Sequence, residues 1–202
     1  MQSVLTRRAS DAIVVVGMDP SLRNWGLSKA TYYPITGELE VTVLDIVNPS
    51  VPDGKQVRNN SKDLACAQQL SQGAAAFCMG AKAVFVEVPH GSQSARAMAS
   101  YGICLGVLGA LRAQGVTFFE VSEAEVKLAT IGKNKKVTKI EMIEWAMKQH
   151  PNAPWPMKVE KGVQSVVEGK AEHMADATGA IHAGIASVPF QQLLTLLKAA
   201  TT

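Results

Sequence analysis

Aromatic residues are scarce in this chain, at 5% of 202 positions, and that scarcity removes one class of function at the outset. Proteins that hold single-stranded nucleic acid stack bases on interleaved aromatic side chains, and no such interleaving is present here. Apolar runs are short as well, none approaching the roughly 18 residues that argue for a membrane-spanning helix. Neither sign of charge dominates: a formal net charge of +3 is too small by itself to announce a nucleic-acid partner. There are three cysteines, Cys66, Cys78 and Cys104. They have no metal-ligand spacing, so core packing in helices and a reducing intracellular compartment are expected. The first ten residues hold two arginines but no extended apolar region of the secretory type. No internal repeat or low-complexity segment is visible. With 47% hydrophobic and 18% charged residues, the composition fits one domain with a sizeable core.

What the chain does have is carboxylates at the ends of apolar runs. Ile13-Val14-Val15-Val16-Gly17-Met18 is a β-branched segment that leads straight into Asp19-Pro20, and it reads as a buried strand with an acid at its carboxyl end. Ala83-Val84-Phe85-Val86 runs the same way into Glu87, with Pro89 closing the strand. Functional groups in open α/β sheets collect at such carboxyl ends. Taken singly, Asp19 is equally a turn or capping acid and Glu87 an ordinary strand-end carboxylate.

A third acidic stretch, A-E-H-M-A-D-A-T at 171–178, changes that balance. On a helix, His173 and Asp176 are three apart and Glu172 and Asp176 four apart, so either can share a face with Asp176. The small residues that follow, including Gly179, Ala180, Ala183 and Gly184, would let the helix lie close against a sheet. Asp19, Glu87, His173 and Asp176 could then close one divalent-metal site, in which the ion's charge compensates the repulsion among buried acids. Glu172 is a further ligand or a solvated acid.

The remaining segments supply a scaffold. Residues 24–34 and 38–47 read as a β-hairpin, 61–80 and 95–114 as helices, 116–121 as a strand, 138–149 as a helix capped by Thr138 with Glu141. A final helix over 172–186 and a short one near 189–199 follow. Prolines and glycines between 150 and 171 break any long helix there. Trp155 within that stretch reads as an apolar anchor rather than a stacking wedge.

These motifs resemble a known family. G-M-D-P-S-L-R-N-W-G at 17–26, V-F-V-E at 84–87 and H-M-A-D-A at 173–177 look like the successive motifs of RuvC-type Holliday junction resolvases in the ribonuclease H-like superfamily. The resemblance covers about residues 12–186. It implies an α/β fold with a ribonuclease H-like mixed five-stranded sheet flanked by helices, a single nuclease domain over 1–202, and Asp19, Glu87, His173 and Asp176 as catalytic metal ligands, with Glu172 beside them. It also implies two Mg²⁺ ions, with Mn²⁺ as substitute, and paired phosphodiester hydrolysis in four-way DNA junctions by a homodimer. An insertion around 150–170 and extra residues before the first strand point to a divergent member, viral or organellar. The expected location is intracellular, cytoplasmic or nucleoid-associated.

Charge patterning is the second line. Five lysines, Lys127, Lys133, Lys135, Lys136 and Lys139, lie in a stretch without an acid, around a loop marked by Gly132 and Asn134. Lys133, Lys135, Lys136 and Lys139, with Arg23 and Arg96, form a candidate DNA-backbone surface that positions without reading bases. The helix over 95–114 is apolar nearly all round, with Ala95, Ala99, Gly102, Gly106, Gly109 and Ala110 as a small-residue face, so it is covered on both sides or meets a second copy. A nuclease acting on RNA–DNA hybrids and a non-catalytic branched-DNA-binding factor are the alternatives. A sugar-kinase-like ATPase is disfavoured, because the chain is short for two lobes.

Overall fold

A computed structural model of the chain describes residues 12–52, 54, 56–91, 93–132 and 136–199. Thirteen elements follow one another: β1 Ile13–Asp19, β2 Trp25–Tyr33, β3 Glu38–Val47, α1 Asn59–Cys78, β4 Ala83–Glu87, α2 Ala95–Ala113, β5 Phe118–Val121, α3 Glu123–Ile131, α4 Lys139–Gln149, β6 Met157–Glu160, β7 Val163–Val166, α5 Glu168–Ala186 and α6 Val188–Ala199. Five strands form one mixed sheet in the order β3-β2-β1-β4-β5. The first three are antiparallel neighbours joined by tight connections. β4 then lies parallel to β1, and β5 parallel to β4.

Val15 and Val16 of the β-branched run point to opposite sides and are both fully buried, because the sheet is covered on both faces. On one face Val16, Met18, Val84 and Val86 pack with Cys66, Leu70 and Cys104 from α1 and α2. On the other, Val15, Ala83 and Phe85 pack with residues of α3, α4, α5 and α6. Neighbouring strand residues thus serve opposite cores, as the period-2 pleat requires. Phe190 of α6 closes the second core, with its ring set edge-on to Phe85 and Phe119. The three cysteines are free and buried. Trp155 is also buried, and its indole N–H donates to the His150 carbonyl at 2.9 Å, which fits the anchor reading.

Four elements depart from the sequence expectation. α3 occupies 123–131, a stretch for which no element was expected, so Lys127 is a helical residue paired with Glu123. The stretch between 150 and 171 holds the β6–β7 ribbon, and α5 begins at Glu168, one turn earlier than expected. The α4–α5 seam carries a histidine pair: the Nε2 atoms of His150 and His182 lie 2.8 Å apart, and Trp145 meets the His182 ring edge-on. Burial lowers both, His182 to about 4, with the neighbouring His150 adding to the effect.

Candidate functional site

The parallel pairing of β1 and β4 sets Met18 opposite Val86. The next residue on each strand, Asp19 and Glu87, therefore sits at the same carboxyl edge, roughly 5 Å apart along the sheet. Both share parity with Val15, Ala83 and Phe85, so both belong to the face that α5 covers.

α5 approaches that face at backbone distance. A Cβ on Gly17 would fall 1.9 Å from the Ala177 carbonyl oxygen, and one on Gly26 would fall 2.1 Å from that of His173. Only glycine allows the contact. Because the helix rests on strand backbone on either side of Asp19, the height and register of Glu172, His173 and Asp176 above the strands are fixed. Thr178, fully buried, adds a hydroxyl contact of 3.0 Å to Ser28 of β2.

The resulting constellation is tightly coupled. His173 Nδ1 lies 2.8 Å from Asp19 Oδ2, and this hydrogen bond raises the imidazole pKa against the opposing effect of burial. Asp176 is pushed up to about 8, first by burial and then by the charges of Asp19 and Glu87, with His173 pulling the other way. Glu87 is pushed up to about 7 by burial, by Asp19 and by Glu123, against the counter-pull of Lys127. Glu172 is held by the ammonium of Lys139, and its carboxylate stands 4.0 Å from His173 Nε2. That ion pair raises the Lys139 pKa in turn.

Between the strand ends and the two helices α3 and α4 opens a cleft of about 250 Å³, lined by Glu87, Asp176, Glu123, Lys127, Thr138 and Lys139 among others. Among the described residues no three His, Cys, Asp or Glu side chains are gathered closely enough to hold a metal ion as they stand. The donor chemistry nonetheless fits a hard divalent cation. The acids are half-buried oxygen ligands, and the ionisation of Glu87 and Asp176 is suppressed first by burial and then by neighbouring carboxylates, a condition that a cation reverses.

Comparison with solved structures bears on this arrangement. The chain superposes on Thermus thermophilus RuvC in complex with a Holliday junction substrate with a TM-score of 0.60, over 89% of this chain and 96% of that one, at 17% identity. A second Thermus thermophilus RuvC structure gives 0.59 at 18% identity, over 85% and 92%. This chain has the RuvC fold. Its five-stranded mixed sheet flanked by helices is accordingly the ribonuclease H-like one. No protein-family model and no curated protein matches the sequence, so the likeness is one of fold.

Within the RuvC fold, the expected basic residues have separate surroundings. Lys139 is exposed at the cleft and bound to Glu172, and Lys136 is exposed just before Thr138. Arg96 is committed to a bidentate pair with Asp63 of α1, both contacts at 2.6 Å. Arg23, exposed beyond Asp19, places a guanidinium nitrogen 3.2 Å from Cys66 Sγ. Lys133 and Lys135, with Asn134 between them, lie outside the described residues. Glu123 was missed from the sequence, and Lys127 was read only as part of the basic stretch and not as a cleft residue. The signal for them was present: Ser122 and Glu125 form the same capping box that marked Thr138 and Glu141, and it starts α3 beside Glu87.

Proposed function

We propose that the protein is a divalent-metal-dependent endonuclease that cuts branched duplex DNA, with the four-way junction as substrate, and that the whole chain serves as one nuclease domain. The observation that carries the reading is the convergence of two strand-end acids, Asp19 and Glu87, with His173 and Asp176 from a helix jammed on the strand backbone. Side chains 154 residues apart in the sequence meet at one sheet edge, where burial and the charges of Asp19 and Glu87 push Asp176 up to about 8 despite the pull of His173.

Asp19, Glu87, His173 and Asp176 would hold Mg²⁺, with Mn²⁺ as substitute, and Glu172 borders the set. When bound, a pair of such ions activates water and stabilises the leaving 3′ oxygen. The chain's own contribution is positional. Glu172 holds the Lys139 ammonium at the cleft mouth, where it would meet a phosphate oxygen. Lys127, on the cleft wall beside Glu87, adds positive charge opposite the same edge. Lys136 and Arg23 widen the phosphate-binding surface, and Lys133 and Lys135 fall to it by sequence position. Arg96 would serve only by leaving Asp63. A homodimer through α2, whose exposed side includes Ala95, Ala99, Gly102, Leu105, Gly106 and Gly109, would present two such sites to a four-armed substrate. This activity places the protein with nucleic acid inside the cell. Among the described residues no helix is long and apolar enough to cross a membrane.

The test is cleavage of a labelled immobile four-way junction, beside linear duplex and an RNA–DNA hybrid, with Mg²⁺, with Mn²⁺ and with chelator. Paired, metal-dependent nicks near the crossover are expected from the wild type. In Asp176→Asn they should fall by about a thousandfold, ~4 kcal/mol in barrier. Tight binding without nicking would reassign the protein as a branched-DNA-binding factor, and preferential hybrid cleavage as a ribonuclease.

A further inference from the structure

Of the β6–β7 ribbon only Val166, at its base, packs against a core. Its strands pair only with each other, and every residue from Met157 to Ser165 is exposed. Two-stranded ribbons of this kind are marginal on their own in water, so a protruding one is retained for a reason other than stability. Its composition is also unlike that of a solvated loop. Met157 and Val159 lie on one face and are 42% and 70% exposed, and Val163 near the tip is 66% exposed.

The tip is the most informative point. Lys161 has a φ of 51° and is the sole non-glycine residue with positive φ among the described residues, followed by Gly162 at 80°. Positive φ at both central positions is the type I′ turn, where Asn-Gly or Gly-Gly fits best. A lysine there is held in a conformation that β-carbon sterics disfavour. Nor is it neutralised: Lys158 pairs with Glu160, whereas Lys161 has no ion pair among the described residues. The turn therefore presents a lone cation at the outermost point of the ribbon.

The base of the ribbon is tied to the candidate site. Val167 donates to the Pro156 carbonyl at 2.7 Å, closing the ribbon, and α5 begins at the next residue. Asp176 lies nine residues along that helix, roughly 13 Å of rise, and the four-residue strands add roughly 13 Å more. The tip is thus within ~26 Å of Asp176, less than one turn of duplex. Glu168 and Lys170, both exposed in the first turn of α5, offset one another on the way.

We propose that the β6–β7 ribbon is a second DNA contact, entering the major groove of the duplex arm that leaves the cleavage site and setting Lys161 on a backbone phosphate. The major groove admits a two-stranded ribbon, the exposed valines suit its sugar and methyl-lined walls, and the lone cation complements phosphate. The placement beside a cut rests on the nuclease reading, whereas the contact itself does not.

The decisive variant is Lys161→Asn, which removes the cation and installs the residue that the turn prefers, so that weaker binding cannot be laid to a lost ribbon. Binding to the immobile junction and to linear duplex is titrated against salt in chelator, and nicking is followed separately with Mg²⁺. In Lys161→Asn the slope of log K against log salt should fall by about 0.9, with affinity down about fivefold at 0.15 M salt. A second variant, with residues 158–165 replaced by two glycines and an unchanged thermal melt of the body, should lose at least as much. If wild type nicks the junction and both variants bind as wild type does, the ribbon proposal is overturned and the nuclease reading stands. If wild type never nicks but binding still depends on Lys161, the nuclease reading is overturned and the ribbon contact stands.

Discussion

α2 and α5 are both 19 residues long, each carries three glycines and several alanines, and each packs on the sheet from its own side. Their small residues nevertheless do opposite things. On α5 a Cβ at Gly184 would land 1.8 Å from the Phe85 ring and one at Gly179 2.9 Å from Val126. Its strand partners are trimmed to match at Gly17 and Gly26. On α2 a Cβ at Gly102, Gly106 or Gly109 would meet nothing within 4 Å, because these glycines line the exposed side. The same composition marks a filled seam in one helix and an open face in the other. Small residues in a helix thus permit close approach without saying whether anything approaches. The helix with the filled seam is the one that carries Glu172, His173 and Asp176.

The sharpest way to break this contrast is to put a methyl group where α5 touches strand backbone. Gly17→Ala forces the helix away from β1 and is expected to cost ~3 kcal/mol or more, read in a denaturant melt. Any remaining folded protein should nick poorly, because Asp176 moves with the helix. Gly184→Ala is next, at about 1–3 kcal/mol, since Phe85 is fully buried and has no free space to yield; its nicking should survive better, since Gly184 is two turns from Asp176.

A pH titration of stability sharpens the comparison, because α5 is also seated on α4 through His182. In the folded protein His182 titrates at about 4, against about 6.5 in the unfolded chain. Above 6.5 both states are neutral at this position, and His182 adds no pH dependence. As the pH falls from 6.5 to about 4 the unfolded state takes up the proton first, and the part of stability owed to His182 drops by up to about 3 kcal/mol, against the opposite trend from Glu87 and Asp176, whose raised values favour the folded state as they take up protons. His182→Gln should flatten that descent in a series of melts between pH 4 and 7. A descent unchanged in the variant would remove His182 as its source. The smallest effect is expected on the open face: Gly106→Ala should stabilise by about 1 kcal/mol or less, the helix propensity difference with no steric charge against it. A destabilisation there would show that the face is covered. Sedimentation of Gly106→Arg would then tell whether a second copy covers it.

How far the sequence reached follows the same division between local and distant cause. β1 and β4 were legible because β-branched runs ending in Asp19 and Glu87 state both the strand and its end. The helical spacing of 172, 173 and 176 was legible for the same reason. α3 was missed although its capping box was readable, because the stretch from 127 was read for its lysines and not for its helical pattern. The ribbon was missed because Pro154, Pro156 and Gly162 read as breakers, and Lys161-Gly162 is not a usual turn pair. What local pattern could not supply was pairing across the chain. Arg96 with Asp63 and Lys139 with Glu172 are each 33 residues apart, and nothing in the charge pattern indicates that these cations are already engaged. Nor did spacing say that His173 would bond Asp19, a contact made only once Gly26 lets the helix down onto β2.

That glycine-mediated seat has an evolutionary reading. Because α5 is located by its own main chain, the residues at 172, 173 and 176 are delivered to one place irrespective of what they are. On the proposed nuclease reading, exchanging His173 for an acid would alter the preference for an ion while leaving the address unchanged. A lineage can therefore retune the chemistry of this edge one side chain at a time, without rebuilding the frame that holds it.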